Sequence, residues 1–429
     1  MDSVLIMSDS TGAPRRRLNA VVGVLAGVGL NAVAVLLALR ILGPAGRGQM
    51  VAMSLTSTMV YVVFGLGLPA AAVYLVAKDA DAAGVYAGNA LVASAVLPMI
   101  ALGAALLVPD GVFEGARLGL EAGSLRMAVA LSPALFAFQQ LASVVQGMGD
   151  YSLLRDGRVV QGAAVAMGMV VAPLVTTATP ETLFYFWVAG YAIGAGFLAV
   201  MIWRRSSFGV DLARMRKSIA YGVRAFWTQV WEFVNMRGDQ LLVAAIAPPS
   251  VLGVYATAVS LSEILFHVPN ALSQVVFSDT AAGVHADPRA MALQEGRRVF
   301  GLTVAGGVAL LVVSWLVVVP LTGLTAQQLL VPLGLMVVPI SFLSSARMLG
   351  ASLMGGGRPE LPGLAAAASF VVTIALDLAL VPRFGATGAA LGVSAGYLTG
   401  AAVLALTFFG RAGGGLVHTI GKSDSEVAK

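Results

Sequence analysis

Long apolar segments, separated by short polar ones, run along almost the whole chain. Each is close to or above the roughly 20 residues that a helix needs to cross the hydrocarbon core of a membrane. A segment of this length without strand-like alternation is typical of a helix buried in lipid. The pattern predicts twelve membrane-spanning helices, over residues 18–41, 50–68, 85–108, 127–147, 159–177, 182–203, 222–246, 252–278, 299–322, 329–353, 361–381 and 386–409.

Composition supports a protein that lives in the bilayer. Hydrophobic residues make up 58% of the 429 residues and charged ones only 11%, whereas a soluble domain carries about 45–50% and about 25%. A soluble enzyme, a nucleic-acid binder and a disordered chain are therefore poor interpretations. The absence of cysteine excludes disulfides and thiolate metal sites, and we expect neither a metal nor a cofactor.

Basic residues lie mostly on one side of the predicted bilayer. With an even number of spans both chain ends share a side, and that side holds 18 Lys and Arg against five on the other. Cytoplasmic loops carry an excess of Lys and Arg, so we expect the N-terminus and the C-terminus in the cytoplasm. The net charge of +5 is thereby explained by topology and does not call for a nucleic-acid partner.

Short motifs recur between the two halves of the chain. The recurring pairs are Ala189-Gly190-Tyr191 with Ala395-Gly396-Tyr397, Gly194 with Gly400, Pro44 and Gly48 with Pro249 and Gly253, and Gly147 and Gly149 with Gly355 and Gly357. All lie at offsets of 205–208 residues. Because each half holds six spans, both copies have the same orientation, which predicts a parallel repeat with the substrate site between the copies.

The repeat divides the chain into five parts. The expected boundaries are a polar cytoplasmic N-terminus over 1–17, a six-helix lobe over 18–203, a basic cytoplasmic linker over 204–220, a second six-helix lobe over 221–410 and a cytoplasmic tail over 411–429. The fold class expected is an all-α polytopic membrane protein.

Charged side chains inside spans are costly in lipid and usually face a cavity or a partner helix. Span seven carries a stripe of them, and further candidates lie in spans eight, ten and eleven. Arg224, Arg237 and Arg347 are candidates for an anionic substrate group, since a guanidinium forks onto phosphate oxygens. In the alternative interpretation these charges pair across helices and only hold the bundle together. His267 is expected to be a packing residue rather than a proton carrier.

The glycine-rich loop over 43–48 has two interpretations. Its glycines are compatible with a phosphate cradle, but it lacks the Lys and the Ser or Thr of a P-loop. We therefore favour a tight turn between antiparallel helices. No nucleotide motif and no catalytic triad appears along the chain, so the sequence does not indicate an enzyme.

Several of these segments resemble those of a known family. Leu42-Gly43-Pro44-Ala45-Gly46-Arg47-Gly48, Tyr221-Gly222-Val223-Arg224-Ala225, Asn235-Met236-Arg237-Gly238-Asp239, Pro269-Asn270-Ala271-Leu272, Gly355-Gly356-Gly357-Arg358-Pro359 and the segment 381–390 are similar to bacterial polysaccharide-biosynthesis flippases. The resemblance covers nearly the whole chain. It implies an O-antigen-type exporter of the multidrug/oligosaccharidyl-lipid/polysaccharide superfamily, with two six-helix lobes in a MATE-like V around a central cavity.

The resemblance also implies a substrate, a location and partners. Such proteins move a polyprenyl-diphosphate-linked oligosaccharide from the inner to the outer leaflet of the bacterial plasma membrane. A glycan polymerase and glycosyltransferases of the same pathway are the partners expected besides membrane lipid. The diphosphate is then expected at Arg224 or Arg237. The sugar hydroxyls are expected at Thr228, Gln229, Asn235 and Gln274, and a coupling ion at Glu232, Asp239, Glu263 or Asp377.

Two other functions remain open at this point. A cation-coupled multidrug antiporter of the same superfamily usually has an acidic residue in span one, where this chain has only Asn31. An integral-membrane glycan polymerase or ligase generally has a large outer loop for catalysis. The longest outer loop here, about 109–126, is short, so both alternatives fit less well than a flippase.

Overall fold

A computed structural model describes residues 13–109, 121–281, 287–358 and 360–410. Side chains are described from residue 29 onward, except at positions 227, 228, 231, 232, 235, 278 and 281. The described chain is helical, with no strand in these ranges.

Helices follow one another with short connections through both halves of the chain. The first half contains α1 (Ala13–Phe64), α2 (Leu68–Lys78), α3 (Ala83–Leu107), α4 (Ala122–Ala130), α5 (Ser132–Gly147), α6 (Tyr151–Val175) and α7 (Pro180–Trp203). The second contains α8 (Leu212–Ile246), α9 (Pro249–Ser262), α10 (His267–Ala281), α11 (Pro288–Val313), α12 (Val319–Thr322), α13 (Ala326–Gly355), α14 (Glu360–Phe384) and α15 (Ala386–Phe409). A 3₁₀ turn over Glu263–Phe266 joins α9 to α10, and a π-helical turn over Ser314–Val318 joins α11 to α12.

Twelve spans are recovered from these helices. Ten of the described helical segments are long and apolar enough to cross a membrane. One of the ten lies in α1, which is two helices joined at Gly43, where φ is 67° and the next residue is proline. The count rises to twelve when α1 is divided there and α8, whose polar residues lower its hydrophobicity, is added. The predicted all-α polytopic class is confirmed.

The repeat predicted from glycine motifs has a physical basis in equivalent contacts. Gly147 packs against α2 at the end of span four, and Gly355 packs against α10 at the end of span ten. Each is followed two residues later by a glycine in the left-handed region, Gly149 at φ 70° and Gly357 at φ 81°. Glycine is needed there because a side chain would be strained at positive φ, so both turns demand the same residue at the same place.

The last span of each half is also held in the same way. A Cβ added to Gly190 would lie 2.4 Å from Val165 Cγ2, and one added to Gly396 would lie 2.0 Å from Thr373 Oγ1. In both halves the glycine thus lets the last helix approach the helix before it. Small residues allow this close packing in lipid, where no hydrophobic force draws helices together.

Two compact units divide the structure. Of the described residues, unit 1 holds 13–41, 53–109 and 121–233, and unit 2 holds 42–52, 234–281, 287–358 and 360–410. The core of unit 1 includes Leu141, Val144 and Leu198, which are fully buried, and that of unit 2 includes Met348 and Leu353. The unit boundary at 233/234 falls inside α8, so one continuous helix contributes to both units.

The connection between the halves is fastened to α3. The side chain of Asn89 donates to the Asp211 carbonyl and accepts from the Asp211 N–H, both at 3.0 Å. Gly84 and Gly88 of α3 let the backbone of residues 207–209 lie against the helix. Helix α8 begins at Leu212, inside the segment predicted as a linker, and the Asp211 carboxylate accepts from the N–H of Ala213. The start of α8 is therefore fixed in unit 1.

Asp150 caps α6 at the turn that follows α5. Its carboxylate accepts from the Leu153 N–H at 2.9 Å, from the Ser152 hydroxyl at 2.6 Å and from Arg205 Nη1 at 2.5 Å. The last contact joins the start of α6 to the residues that follow α7. A negative charge at a helix N-terminus is favourable in itself. The same carboxylate therefore caps α6 and binds Arg205.

Lowering the pH is expected to weaken this cap. Although partial desolvation opposes the shift, hydrogen bonds from Ser152, Arg205 and the Leu153 N–H lower the pKa of Asp150 to about 2. Its contribution to stability is therefore complete above the ordinary pKa of about 4 and is lost as the pH falls toward 2. We expect the thermal midpoint of Asp150→Asn to lie below that of the wild type at neutral pH and to approach it as the pH falls. Asp156→Asn is the control, and equal midpoints at neutral pH would contradict the assignment.

Candidate functional site

Polar side chains of unit 2 gather around the interrupted span formed by α9, the 3₁₀ turn and α10. The 3₁₀ turn over Glu263–Phe266 precedes Pro269, whose ring cannot continue a regular helix without disturbing it. The interruption therefore sets polar and aromatic side chains at angles that a regular helix would not provide. Partners come from α8, α13, α14 and α15, so the site depends on five spans of one unit.

Arg237 and Glu263 form an ion pair near the middle of the unit. Arg237 Nη1 donates to Glu263 Oε1 at 2.8 Å and Nη2 donates to Oε2 at 3.4 Å. The side chains are 29% and 33% exposed, so the pair keeps some access to its surroundings. Arg237 is thus paired across helices, with the carboxylate of Glu263. A fork of this kind satisfies both charges inside the bundle.

Arg347 is held in a different way. Its Nη1 donates to Asn270 Oδ1 at 2.7 Å, and its guanidinium carbon lies 4.4 Å from the centre of the Phe266 ring. Phe266 is itself held edge-on by Tyr397, with ring centres 5.8 Å apart. Among the described residues no carboxylate pairs with Arg347. Its guanidinium is therefore fixed in place while most of its N–H donors remain uncommitted.

Two buried carboxyl groups lie nearer the end of the unit where α8 finishes. Asp239 Oδ2 accepts a short hydrogen bond from the Tyr255 hydroxyl, while Asp239 Oδ1 has no partner in the described chain. Asp377 is completely buried in α14, and neither of its oxygens has a described partner. A Cβ added to Gly392 of α15 would lie 2.0 Å from Asp377 Oδ1, so a glycine is required for the two helices to enclose the carboxyl.

These groups lie at different depths along unit 2. At about 1.5 Å per helical residue, Asp239 lies about 10 Å before the end of α8 and Asp377 about the same distance before the end of α14. Arg347 lies about 12 Å before the opposite end, where α13 finishes. The site is therefore elongated, with acidic residues toward the α8–α9 connection and the uncommitted arginine toward the α10–α11 connection.

The structure does not bring all the predicted residues into this cluster. Arg224 is exposed and Gln229 is half-buried in the part of α8 that belongs to unit 1, and Gln274 is exposed on α10. The side chains of three further candidates, Thr228, Glu232 and Asn235, lie outside the described residues. His267 is half-buried beside the 3₁₀ turn.

Sequence reasoning missed the aromatic members of the cluster. Tyr255, Phe266 and Tyr397 contribute a hydroxyl or a ring to the polar contacts, yet in the sequence they blend into apolar spans. For Tyr397 one signal was available, because it belongs to the Ala-Gly-Tyr motif that recurs between the halves. For the other two no spacing in the sequence indicates their partners.

In the described ranges, no group of three or more His, Asp or Glu side chains is placed to hold a metal ion. The arrangement instead offers charge, hydrogen-bond donors and an aromatic face within a membrane-spanning bundle. Such an arrangement has the chemistry to bind a polar or charged group.

The same fold occurs in solved transporters. A lipid II flippase, MurJ, in an inward closed conformation matches with a TM-score of 0.72 at 13% identity, over 90% of this chain and 87% of that one. An inward-facing multidrug MATE transporter of the MOP superfamily matches with a TM-score of 0.70 at 16% identity, over 93% and 99%. A MOP superfamily transporter from Pyrococcus furiosus, described as having a binding pocket of reverse polarity, matches at 0.57 and 15%, over 91% and 92%.

The chain thus has the fold of these MATE and MurJ proteins, and its long apolar helices make it a multi-pass membrane protein. A sequence family described as "Polysaccharide biosynthesis protein" matches residues 19–277, which is more than half of the chain. The protein belongs to this family, and it is a membrane flippase or transporter. No curated relative matches the sequence.

Proposed function

We propose that the protein translocates a polyprenyl-diphosphate-linked oligosaccharide from the inner to the outer leaflet of a bacterial plasma membrane by alternating access. The observation that carries the proposal is Arg347, a guanidinium held in place by Asn270 and Phe266 with donors left over. A diphosphate offers several anionic oxygens that suit such a fork. Membership of the polysaccharide biosynthesis family supports a glycan-bearing substrate.

Arg347 fits the diphosphate better than the other two candidate arginines. Arg237 already uses two N–H groups on Glu263, and a substrate would have to compete with that carboxylate. Arg224 is exposed and lies only about three turns after the start of α8. The order of the three candidates therefore differs from the one expected from the sequence, in which Arg224 and Arg237 came first.

The sugars are proposed to bind beside the diphosphate. Gln274 follows Asn270 by four residues on α10, which puts both amides on one face of the helix. Its exposed amide can donate to and accept from sugar hydroxyls. Thr228, Gln229 and Asn235 on α8 remain candidates from the sequence for contacts with sugar hydroxyls. The prenyl chain would remain in the surrounding lipid.

The two buried carboxyl groups are proposed as the coupling site. A buried oxygen without a hydrogen bond is costly, and Asp377 has two such oxygens while Asp239 has one. A bound proton or monovalent cation would supply the missing partner, and its entry and exit would drive the conformational cycle. Glu263 is proposed to respond to the substrate through Arg237, and Glu232 remains a further candidate.

The cellular setting is proposed from the same substrate. Both chain ends would face the cytoplasm, and the glycan would be a repeat unit of an O-antigen in lipopolysaccharide or of a related polysaccharide. Glycosyltransferases that build the unit and a polymerase that extends it would act before and after the transport step. The protein itself would carry out no covalent chemistry.

A multidrug antiporter is the second candidate, favoured by the likeness to MATE transporters. Organic cations would be repelled by the uncommitted charge of Arg347, whereas an anionic lipid would be attracted. The two functions separate in a strain from which the gene has been deleted. We expect lipid-linked oligosaccharide to accumulate in the inner leaflet and surface glycan to fall, with unchanged sensitivity to cationic drugs. Drug hypersensitivity with normal surface glycan would favour the antiporter instead.

A further inference from the structure

Arg47 is a buried, charged residue of unit 2 that takes no part in the candidate functional site. Arg47 lies in the first turn of the helix that follows Gly43 and is only 8% exposed. Its Nε is enclosed without a hydrogen-bond partner, and among the described residues no carboxylate pairs with it. A guanidinium keeps its charge at any physiological pH, and a buried charge without a partner is strongly destabilising.

The backbone around Arg47 cannot compensate its charge. A helix begins at Pro44, directly after the left-handed Gly43, and α9 begins at Pro249. The two starts cross in contact, because a Cβ added to Gly48 would lie 1.7 Å from the Pro249 carbonyl oxygen. Helix N-termini carry partial positive charge, so two of them meet within a few residues of the arginine. Positive potential thus accumulates at this crossing.

The internal repeat shows that packing does not require an arginine here. The crossing is reciprocal, since a Cβ added to Gly253 would lie 1.9 Å from the Pro44 carbonyl oxygen. The offset of 205 that relates Pro44 to Pro249 and Gly48 to Gly253 relates Arg47 to Leu252. Leu252 is 1% exposed. The equivalent position in the second copy is therefore filled by an apolar side chain, and the charge at position 47 serves another purpose.

We propose that Arg47 binds a phosphate group at the crossing of these two helix starts. Phosphates suit helix N-termini and arginine forks for the same electrostatic reason. The crossing lies at the α8–α9 end of unit 2, and Arg347 lies toward the opposite end. Resting on the proposed function, Arg47 would receive the diphosphate of the carrier lipid on the outer side, after Arg347 has bound it on the inner side. A phospholipid headgroup of the outer leaflet is the other source of the same chemistry.

The test measures binding of inorganic diphosphate to the purified full chain in a neutral detergent by calorimetry. The Arg347→Gln background removes the arginine to which the proposed function assigns the diphosphate. In that background we expect Arg47→Leu to weaken binding by about tenfold or more, the value of a charged hydrogen bond. Arg47→Lys, which keeps the charge but loses the fork, should fall between. Arg40→Leu, at an exposed arginine seven residues earlier, should leave binding unchanged. Equal affinity with and without Arg47→Leu would overturn the proposal.

Thermal stability gives a second, independent readout. Leu252 fills the position equivalent to Arg47 in the second copy of the repeat. Without added anion, Arg47→Leu should therefore have a thermal midpoint equal to or above that of the wild type. Diphosphate should raise the midpoint of the wild type more than that of the variant. A variant that is destabilised and still gains the full increment from diphosphate would show that Arg47 is a structural residue, which contradicts the proposal.

Two further arms separate the ligand sources and the two proposals. In nanodiscs, phosphatidylglycerol added to phosphatidylcholine should stabilise the wild type over Arg47→Leu only if lipid headgroups are the ligand. If the diphosphate of the carrier lipid is the ligand, only diphosphate should stabilise the wild type over Arg47→Leu. Loss of diphosphate binding in Arg47→Leu, with normal glycan export in both Arg347→Gln and the deletion strain, would retain this site and remove the proposed function. Impaired export in Arg347→Gln with unchanged diphosphate binding in Arg47→Leu would retain the proposed function and remove the Arg47 site.

Discussion

Replacing Arg347 by glutamine is expected to reduce surface glycan by about tenfold or more, since a charged hydrogen bond to phosphate is worth at least that factor. Glutamine can still donate to Asn270, so the local packing is largely kept while the charge is removed. Because Arg347 is fixed by Phe266 and Asn270 rather than by a carboxylate, its charge is the part available to substrate. Glycan labelled at the cell surface, normalised to protein abundance, is the measurement.

Two variants sharpen this expectation. Arg347→Lys keeps the charge but loses the planar fork and the stacking on Phe266, so an intermediate loss is expected. Arg298→Gln is the matched control, because Arg298 is exposed and pairs with Glu295 on the same helix. Normal surface glycan in Arg347→Gln, with normal abundance, would remove Arg347 from the substrate site and with it the main support for a diphosphate ligand.

Replacing Asp377 by asparagine is expected to abolish transport without weakening the fold. Asparagine has almost the volume of aspartate, and it removes a buried group whose two oxygens have no described partner. Stability should therefore stay equal or rise, because no hydrogen bond to the carboxylate is lost. Transport should fall to the level of the deletion strain if a proton or cation must bind there in each cycle. Export and thermal midpoint are measured on the same variant.

The combination of readouts separates coupling from structure. Asp377→Glu should also fail, because the backbone at Gly392 leaves no room for an additional methylene. Asp239→Asn should impair transport while the Tyr255 hydroxyl keeps an acceptor. A stable Asp377→Asn protein that exports glycan normally would show that the carboxyl group has no part in coupling.

Much of the architecture could be predicted from the sequence, for reasons that are local. Lipid cannot satisfy backbone N–H and C=O groups, so each long apolar segment has to be a helix. The repeated glycines could be recognised because Gly149 and Gly357 occupy a left-handed turn that other residues avoid. The early start of α8 at Leu212 was missed, since a helix that extends beyond the apolar core has no hydrophobic pattern to mark it.

The candidate site was only partly predictable. Charges inside spans identified Arg237, Arg347 and Asp377, because such residues are rare in lipid and therefore informative. The partners of these residues, and therefore their roles, could not be predicted from the sequence. Arg237 and Glu263 are 26 residues apart, and Arg347 and Asn270 are 77 apart, so no spacing rule relates them. An aromatic ring such as Phe266 is indistinguishable in the sequence from one that faces lipid.

The sequence by itself determined where the chain crosses the membrane, that its two halves repeat, and which few side chains carry charge within the spans. The spans and their charges are marked by the free energy of placing each segment in lipid, which depends on local composition, and the repeat is marked by glycines that both halves need at equivalent turns. The tertiary structure alone decided which charges neutralise one another and which remain available. Arg237 is paired, Arg347 is held with free donors and Arg47 is enclosed without a partner, because pairing depends on how distant helices approach and on the angles at which broken spans present their side chains.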